Sequence, residues 1–177
     1  MPRIHITGNA GSGKSTLAVR LGAALQVPVT GLDEIVWRPG WTKTPSDERL
    51  MLEQQLVSRP NWIIEGVSKT VREAAEIVIL LDVSRFVAFS RCARRNWRYL
   101  FRSRPSLPPD CPELLIIPRL CRLIWNFQKN IKPQIVSDMQ RSDTKFFHVS
   151  SADELDIVLR ELGAISFLGA VVPGKSR

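Results

Sequence analysis

Cysteine and histidine are scarce in this sequence of 177 residues. Cys92, Cys111 and Cys121 are odd in number, lack C-x-x-C spacing and have few histidines nearby. That argues against a structural zinc site or a disulfide framework and leaves packing or bystander thiols. A reduced, cytoplasmic compartment is the expected location. No apolar run is long enough to span a bilayer, and the stretch at 164–172 is far too short. The opening Met-Pro-Arg-Ile-His-Ile carries no signal-peptide pattern, so no membrane association is expected. Internal repeats and low-complexity linkers are missing, as are helix-turn-helix, basic-zipper and zinc-finger patterns. Acids are nearly absent where arginines are dense. Arg85, Arg91, Arg94, Arg95, Arg98, Arg102 and Arg104 crowd one stretch, and Arg119, Arg122, Lys129 and Lys132 follow. A run of charge can be no more than a solvated helix face. With a formal net charge of +8 and so few acids in the window, these arginines are expected to await anions from outside.

What the sequence does contain is Gly8-Asn9-Ala10-Gly11-Ser12-Gly13-Lys14-Ser15-Thr16, the G-x-x-x-x-G-K-S pattern of a phosphate-binding loop. Its flanks are those the chemistry needs. Ile4-His5-Ile6-Thr7 alternates apolar and polar residues and reads as a strand. From Lys14 onward, Leu17, Ala18, Leu21, Ala24 and Leu25 give one buried helix face. Strand, loop and helix together aim unpaired backbone N–H groups and the positive helix end at a bound polyphosphate. Gly8, Ala10, Gly11, Ser12, Gly13, Lys14, Ser15 and Thr16 are the expected nucleotide-binding residues. Lys14 should reach the β- and γ-phosphates of ATP, and the Ser15 hydroxyl should ligate Mg²⁺.

Further along, Val27 to Asp33 reads as a second strand ending at or near Asp33. Trp37-Arg38-Pro39-Gly40-Trp41 is a turn, and Thr44 is the expected cap of a helix running to about Ser58. Trp62-Ile63-Ile64-Glu65-Gly66 and Ile77-Val78-Ile79-Leu80-Leu81-Asp82 read as buried parallel strands. Ser84 should cap a long helix that buries Phe86, Phe89, Ala93, Trp97 and Leu100. A proline-rich loop follows, long enough to be a lid. Helical periodicity resumes over 113–128, interrupted at Pro118, and a further helix continues past Pro133. A last strand at 145–149 leads to a helix opened by Ser151.

Strands alternating with helices predict a three-layer α/β/α fold with a five-stranded parallel sheet, and the resemblance set out below implies the strand order 2-3-1-4-5. All strand C-termini then share one edge, which gathers the phosphate loop, Asp33, Glu65 and Asp82. Asp33 is placed to hold an acceptor or take its proton, or else is a turn residue. Glu65 is placed to order Mg²⁺-bound water, or else hydrogen-bonds the phosphate loop. Asp82 follows an apolar run as a metal-side acid does, although a turn into the next helix is the favoured reading. Trp37 and Trp41 flank the acceptor side, either to stack on a ring or to wedge that segment against the core. Trp97 and Trp125 are expected in the core, and His5 and His148 are read as structural.

From Gly8 to Arg95 the chain resembles the nucleoside monophosphate kinase superfamily, adenylate kinase in particular, through the phosphate loop and the tract from Leu81-Asp82-Val83-Ser84 to Arg91-Cys92-Ala93-Arg94-Arg95. It is more similar still to the adenylate kinase-related DNA topology modulation proteins. That likeness rests on Leu32-Asp33, Trp37-Arg38-Pro39-Gly40-Trp41, Trp62-Ile63-Ile64-Glu65-Gly66, Cys111-Pro112-Glu113 and Leu123-Ile124-Trp125-Asn126-Phe127. The resemblance implies that Arg91 lies against the adenine and that Arg95 meets the phosphates. The chain departs from adenylate kinase where Glu65-Gly66-Val67-Ser68-Lys69 stands for Asp-Gly-Phe-Pro-Arg; Lys69 or Arg72 would have to replace the missing arginine.

The expected protein is therefore a Mg-ATP-dependent kinase acting on a small acceptor, a nucleotide or nucleoside by type. Lys14, Asp33, Glu65, Arg91 and Arg95 are the expected catalytic residues, and Asp33, Trp37 and Trp41 the acceptor-binding ones. One kinase-like domain spans 1–163, with an acceptor-side segment at about 33–60, a lid at about 102–118 and a tail at 164–177. The alternative is an ATP-binding, DNA-associated regulatory protein whose basic tract with Trp97 meets a phosphate backbone. Nucleic acid is thus a possible but less favoured partner. Acceptor identity and oligomeric state stay open.

Overall fold

A computed structural model of the chain describes residues 2–103, 107–140 and 143–163. Arg104 and the tail at 164–177 lie outside the described residues, as does part of the segment read as a lid. The elements in order are β1 (Arg3–Gly8), α1 (Lys14–Leu25), β2 (Val29–Gly31), α2 (Asp33–Val36), β3 (Trp37–Arg38), β4 (Thr42–Lys43), α3 (Ser46–Val57), β5 (Trp62–Glu65), α4 (Lys69–Ala74), β6 (Ile77–Leu81), α5 (Arg85–Arg98), α6 (Ile117–Asn126), α7 (Lys132–Gln140), β7 (Lys145–Val149) and α8 (Ala152–Glu161).

The main sheet is parallel, in the order β2-β5-β1-β6-β7. With the small β3–β4 hairpin set aside, this is the expected 2-3-1-4-5 arrangement. The period-2 side-chain alternation of each strand divides the core into two layers. Ile4, Ile6, Ile63, Ile79 and Leu81 face Leu17, Leu21 and Val158 of α1 and α8. Trp62, Ile64, Val78 and Leu80 face Val71, Phe127, Ile135 and Met139 on the other side. Coverage on both faces explains why the central strands are continuous apolar runs.

His5 is the exception in β1: it is fully buried, and its Nε2 lies 3.1 Å from the Gly66 carbonyl oxygen. Burial pushes its pKa from 6.5 down to about 3; the Gly66 hydrogen bond opposes this, and the charges of Arg72 and Lys14 add to it. The native state therefore stays neutral at this ring where the unfolded chain takes a proton. Stability is fully present above pH 6.5 and falls as the pH drops toward 3, by on the order of 4 kcal/mol at the acid end. Urea midpoints across that range should fall steeply in the wild type and less steeply in His5→Gln.

Several local expectations are corrected by tertiary contacts. Thr44 does not cap α3: its N–H is spent on the Val36 carbonyl at 3.0 Å, and the helix begins at Ser46 with no side-chain cap. Pro118 does not interrupt a helix. It lies in the first turn of α6, after a 3-10 turn at Glu113–Ile116, where its missing N–H would have no partner in any case. Pro133 opens α7 directly after a π-helical turn at Phe127–Ile131.

Trp97 and Trp125 are not core residues: they are 78% and 52% exposed, and Phe86 is 86% exposed. The face of α5 that is buried carries Ala88, Cys92 and Asn96 instead. The phosphate loop dictates this choice. A Cβ on Gly11 would meet the Ala88 carbonyl oxygen at 2.6 Å and Cys92 Sγ at 2.9 Å, so the loop needs glycine there and small residues facing it.

Candidate nucleotide and acceptor site

The loop between β1 and α1 sits at the C-terminal edge of the sheet, between neighbours β5 and β6. Gly11 and Gly13 hold positive φ angles of 74° and 100°, and Gly13 caps α1 in the left-handed conformation with no side-chain bond to its first amides. Those amides remain directed outward, the arrangement that receives a phosphate. Ser12 is buried, and its Oγ has no hydrogen-bond partner within the protein. A buried hydroxyl left this way suits a bound anionic group.

Lys14 curls back over the loop and donates from Nζ to the Asn9 carbonyl at 2.8 Å. Burial lowers its pKa; Glu65 and Asp33 pull it back up, and Arg95 adds to the lowering. Ser15 donates from Oγ to Glu65 Oε1 at 2.7 Å. Glu65 thus makes the hydrogen bond to the phosphate loop that was one of its two sequence readings, and this bond holds it beside the residue expected to ligate Mg²⁺. Arg91 donates from Nη1 to the Ser12 carbonyl at 3.4 Å. Arg95 Nε donates to Asn96 Oδ1 at 3.3 Å, and its Nη2 reaches Cys92 Sγ at 4.0 Å. Arg91 therefore touches the loop, whereas Arg95 bonds within its own helix and acts on the loop through its charge beside Lys14. Among the described residues no cluster of three or more His, Cys, Asp or Glu could hold a metal by itself. A Mg²⁺ here would rest on Ser15, on waters ordered by Glu65 and on substrate phosphates, the usual mode for this ion.

Asp82 belongs to a separate network. Its carboxylate accepts from Lys132 and Gln128 and lies 2.9 Å from His148 Nε2. Burial would raise its pKa, but these three hydrogen bonds outweigh burial and hold it below the usual carboxylate range. It supports the junction of β6, β7 and α7 rather than the phosphate loop. His148 is accordingly a half-exposed hydrogen-bond partner of Asp82. Asp82→Asn should cost about 1–3 kcal/mol by leaving Lys132 without its counter-charge, read as a lower melting temperature. The stabilisation that Asp82 gives is present above the ordinary carboxylate pKa and is lost as pH falls through its lowered value.

On the acceptor side, Asp33 opens α2 directly after β2 and acts electrostatically on Lys14. Trp37 and Trp41 meet edge to face, with ring centroids 5.2 Å apart. The Arg119 guanidinium covers the Trp37 ring at 4.8 Å, so one face of the expected stacking platform is already occupied. Trp41 donates from its indole Nε1 to the Pro112 carbonyl at 2.8 Å.

Arg72 cannot replace the missing acceptor-gripping arginine. It is buried, pairs with Asp138, and donates to the Ser68 carbonyl. Lys69 is an exposed partner of Glu73. Nor do all the clustered arginines await anions: Arg85 stacks over Trp125 at 4.7 Å.

Sequence reasoning named Asn9, Arg119 and Cys111 but gave none of them the contacts they make in the fold. Asn9 occupies a variable position of the loop motif, yet its Nδ2 donates to the Ile124 carbonyl at 3.0 Å and its Oδ1 accepts from the Ala10 amide at 2.8 Å. It bolts the loop to α6, and no local signal announces a contact so distant in sequence.

No protein-family model matches the chain, and a search of curated proteins finds no match. Solved structures do match. Shikimate kinase from Acinetobacter baumannii in complex with shikimate is 16% identical with a TM-score of 0.56, covering 98% of this chain and 96% of that one. Deoxyadenosine kinase from M. mycoides with products dCMP and a flexible dCDP bound is 18% identical with a TM-score of 0.52, covering 92% and 98%. A shikimate kinase from Bacteroides thetaiotaomicron is 17% identical with a TM-score of 0.51, covering 93% and 98%. At these identities the likeness is one of architecture: the chain shares the three-layer α/β fold of these phosphate-loop structures.

Proposed function

We propose that this chain is a Mg-ATP-dependent phosphotransferase whose acceptor is a small molecule, a nucleotide or nucleoside by class. The observation that carries the reading is the convergence of Lys14, Ser15, Glu65 and Arg91 on one glycine-lined loop. The similar folds of proteins described as shikimate and deoxyadenosine kinases support it. Mg-ATP, when bound, supplies the transferable phosphoryl group and the metal that offsets its charge. The protein's part is positioning and electrostatics. The loop amides and Ser12 Oγ receive the phosphates. Lys14, released from the Asn9 carbonyl, and the arginines Arg91 and Arg95 neutralise charge that builds during transfer. Ser15 and Glu65 orient the metal side. Asp33 holds the acceptor hydroxyl or takes its proton. The hairpin with Trp37 and Trp41 bounds the acceptor cleft and excludes water.

The test is ADP release over a panel of deoxynucleosides, nucleoside monophosphates and small hydroxy acids, with ATP binding measured in parallel. Stimulation by one acceptor class well above the acceptor-free rate is the expected result. ATP bound but no stimulation by any of them overturns the proposal. DNA affinity titrated against salt separates the alternative: a steep salt slope at useful affinity that ATP does not abolish favours nucleic acid as partner.

A further inference from the structure

The acceptor-side hairpin and the stem of the proline-rich loop lie far apart in sequence and are clasped together in the fold. Trp41 is the point of contact. Its backbone N–H donates to Cys111 Sγ at 3.4 Å and its indole N–H donates to the Pro112 carbonyl at 2.8 Å. The Cys111 thiol in turn donates to the Arg38 carbonyl at 3.6 Å, so one sulfur bridges both ends of the hairpin turn. Cys111 is fully buried, and its own amide donates to Ser103 Oγ at 2.8 Å across the stem.

The backbone is strained on both sides of this clasp. Among the described residues the non-glycine positions with positive φ are Gln26, Trp41 and Asp110. Gln26 ends a helix, where the left-handed conformation is routine. Trp41, at 56°, lies in the hairpin turn, and Asp110, at 57°, directly precedes Cys111. A bulky aromatic residue holds such a conformation only where its surroundings impose it. The stem buries Cys111 on one side and on the other borders an open cleft of about 610 Å³ lined by residues that include Phe101, Pro109 and Leu115. The two hydrogen bonds that Trp41 donates to this stem hold its backbone in place.

We propose that Trp41 and Cys111 are positioning residues: they fasten the 37–43 hairpin to the 110–113 stem so that the two segments are held, and unfold locally, as one unit. Through Trp41 the clasp braces Trp37 edge to face, and Trp37 carries Arg119 on its ring. That the braced side belongs to an acceptor rests on the phosphotransferase reading; the clasp itself does not.

Hydrogen–deuterium exchange on the full chain tests this without turnover, so its failure and that of the phosphotransferase reading are separable. In the wild type, amides at 37–43 and 110–114 should exchange with a common protection. Trp41→Phe keeps a ring against Trp37 but lacks the N–H for Pro112, and Cys111→Ala removes the bridging sulfur. Each should raise exchange in both segments together, by about tenfold, with β1 and β6 unchanged. Cys111→Ser, whose hydroxyl both accepts and donates, should restore protection to both. In a Cys121→Ser background, alkylation of Cys111 by iodoacetamide, mapped by mass spectrometry, should speed up by about the same factor when Trp41 is phenylalanine. Unchanged exchange, a rise confined to one segment, a rise that extends into β1 and β6, or no rescue by serine each overturns the proposal.

Discussion

Lys14→Ala is expected to lower the acceptor-stimulated rate by about 10²–10³-fold while leaving a folded protein. The loss should fall on turnover more than on acceptor affinity, because the ammonium acts on charge that develops during transfer. In the free protein burial works against the charged form of this side chain. It lowers the pKa of Lys14, and the carboxylates of Glu65 and Asp33 only partly offset that. A lysine set in such surroundings on a phosphate loop is a candidate functional group. The same fact gives a second readout. A lysine whose native pKa lies below its unfolded value destabilises the native state at neutral pH, and that penalty is relieved as pH rises through the lowered pKa toward 10.5. Removing the side chain should therefore not lower the melting temperature at neutral pH, and should flatten its rise on the alkaline side. An inactive variant that also melts much earlier would point to a structural lysine and sink the assignment.

The second large effect is expected at Glu65. Glu65→Gln keeps the size of the side chain and an oxygen able to accept from Ser15 Oγ, now 2.7 Å away, but removes the charge. Mg²⁺ retains most of its water shell and responds to charge on the groups ordering that shell. The expected result is a rate about 10²-fold lower, with a higher Mg²⁺ concentration needed for half-maximal turnover. Melting temperature should fall only modestly: Glu65 makes no ion pair among the described residues, although its charge eases the burial of Lys14. The opposite pattern is expected of Asp82→Asn, which should lose stability and keep its rate, because its carboxylate is engaged by Lys132, Gln128 and His148. Measured together, the two variants separate the carboxylate that serves the phosphate loop from the one that ties β6 and β7 to α7. A rate loss in Asp82→Asn with none in Glu65→Gln would reverse the assignment.

The contrast between Glu65 and Asp82 shows where sequence reading runs out. Both acids end an apolar strand, and spacing alone treats them alike. Only the register separates them: Glu65 stands opposite Ile6 beside the phosphate loop, whereas Asp82 follows Leu81 and turns toward residues from α7 and β7. Trp97 shows the same limit. Helical periodicity in α5 points to the face with Phe86, Phe89, Ala93, Trp97 and Leu100, which a hydrophobic count favours over one of small residues. The close approach of Gly11 to Ala88 and Cys92 decides for the small one. Arg72, set by sequence among the candidates for gripping an acceptor, is taken by Asp138 of α7.

By itself the sequence determined the phosphate loop, the helix that follows it, and the alternation of buried strands with helices that marks a parallel sheet. These depend on contacts between near neighbours and on patterns of period 2 or 3.6, which a linear chain displays. Tertiary structure alone decided how Asn9 is tied to Ile124, which carboxylate faces Ser15, and that Trp41 is clasped by Cys111. Those partners are separated by 115, 50 and 70 positions. Hydrogen bonds over such spans leave no periodic mark, because their geometry is set by how strands and helices stack and not by the residues adjoining either end.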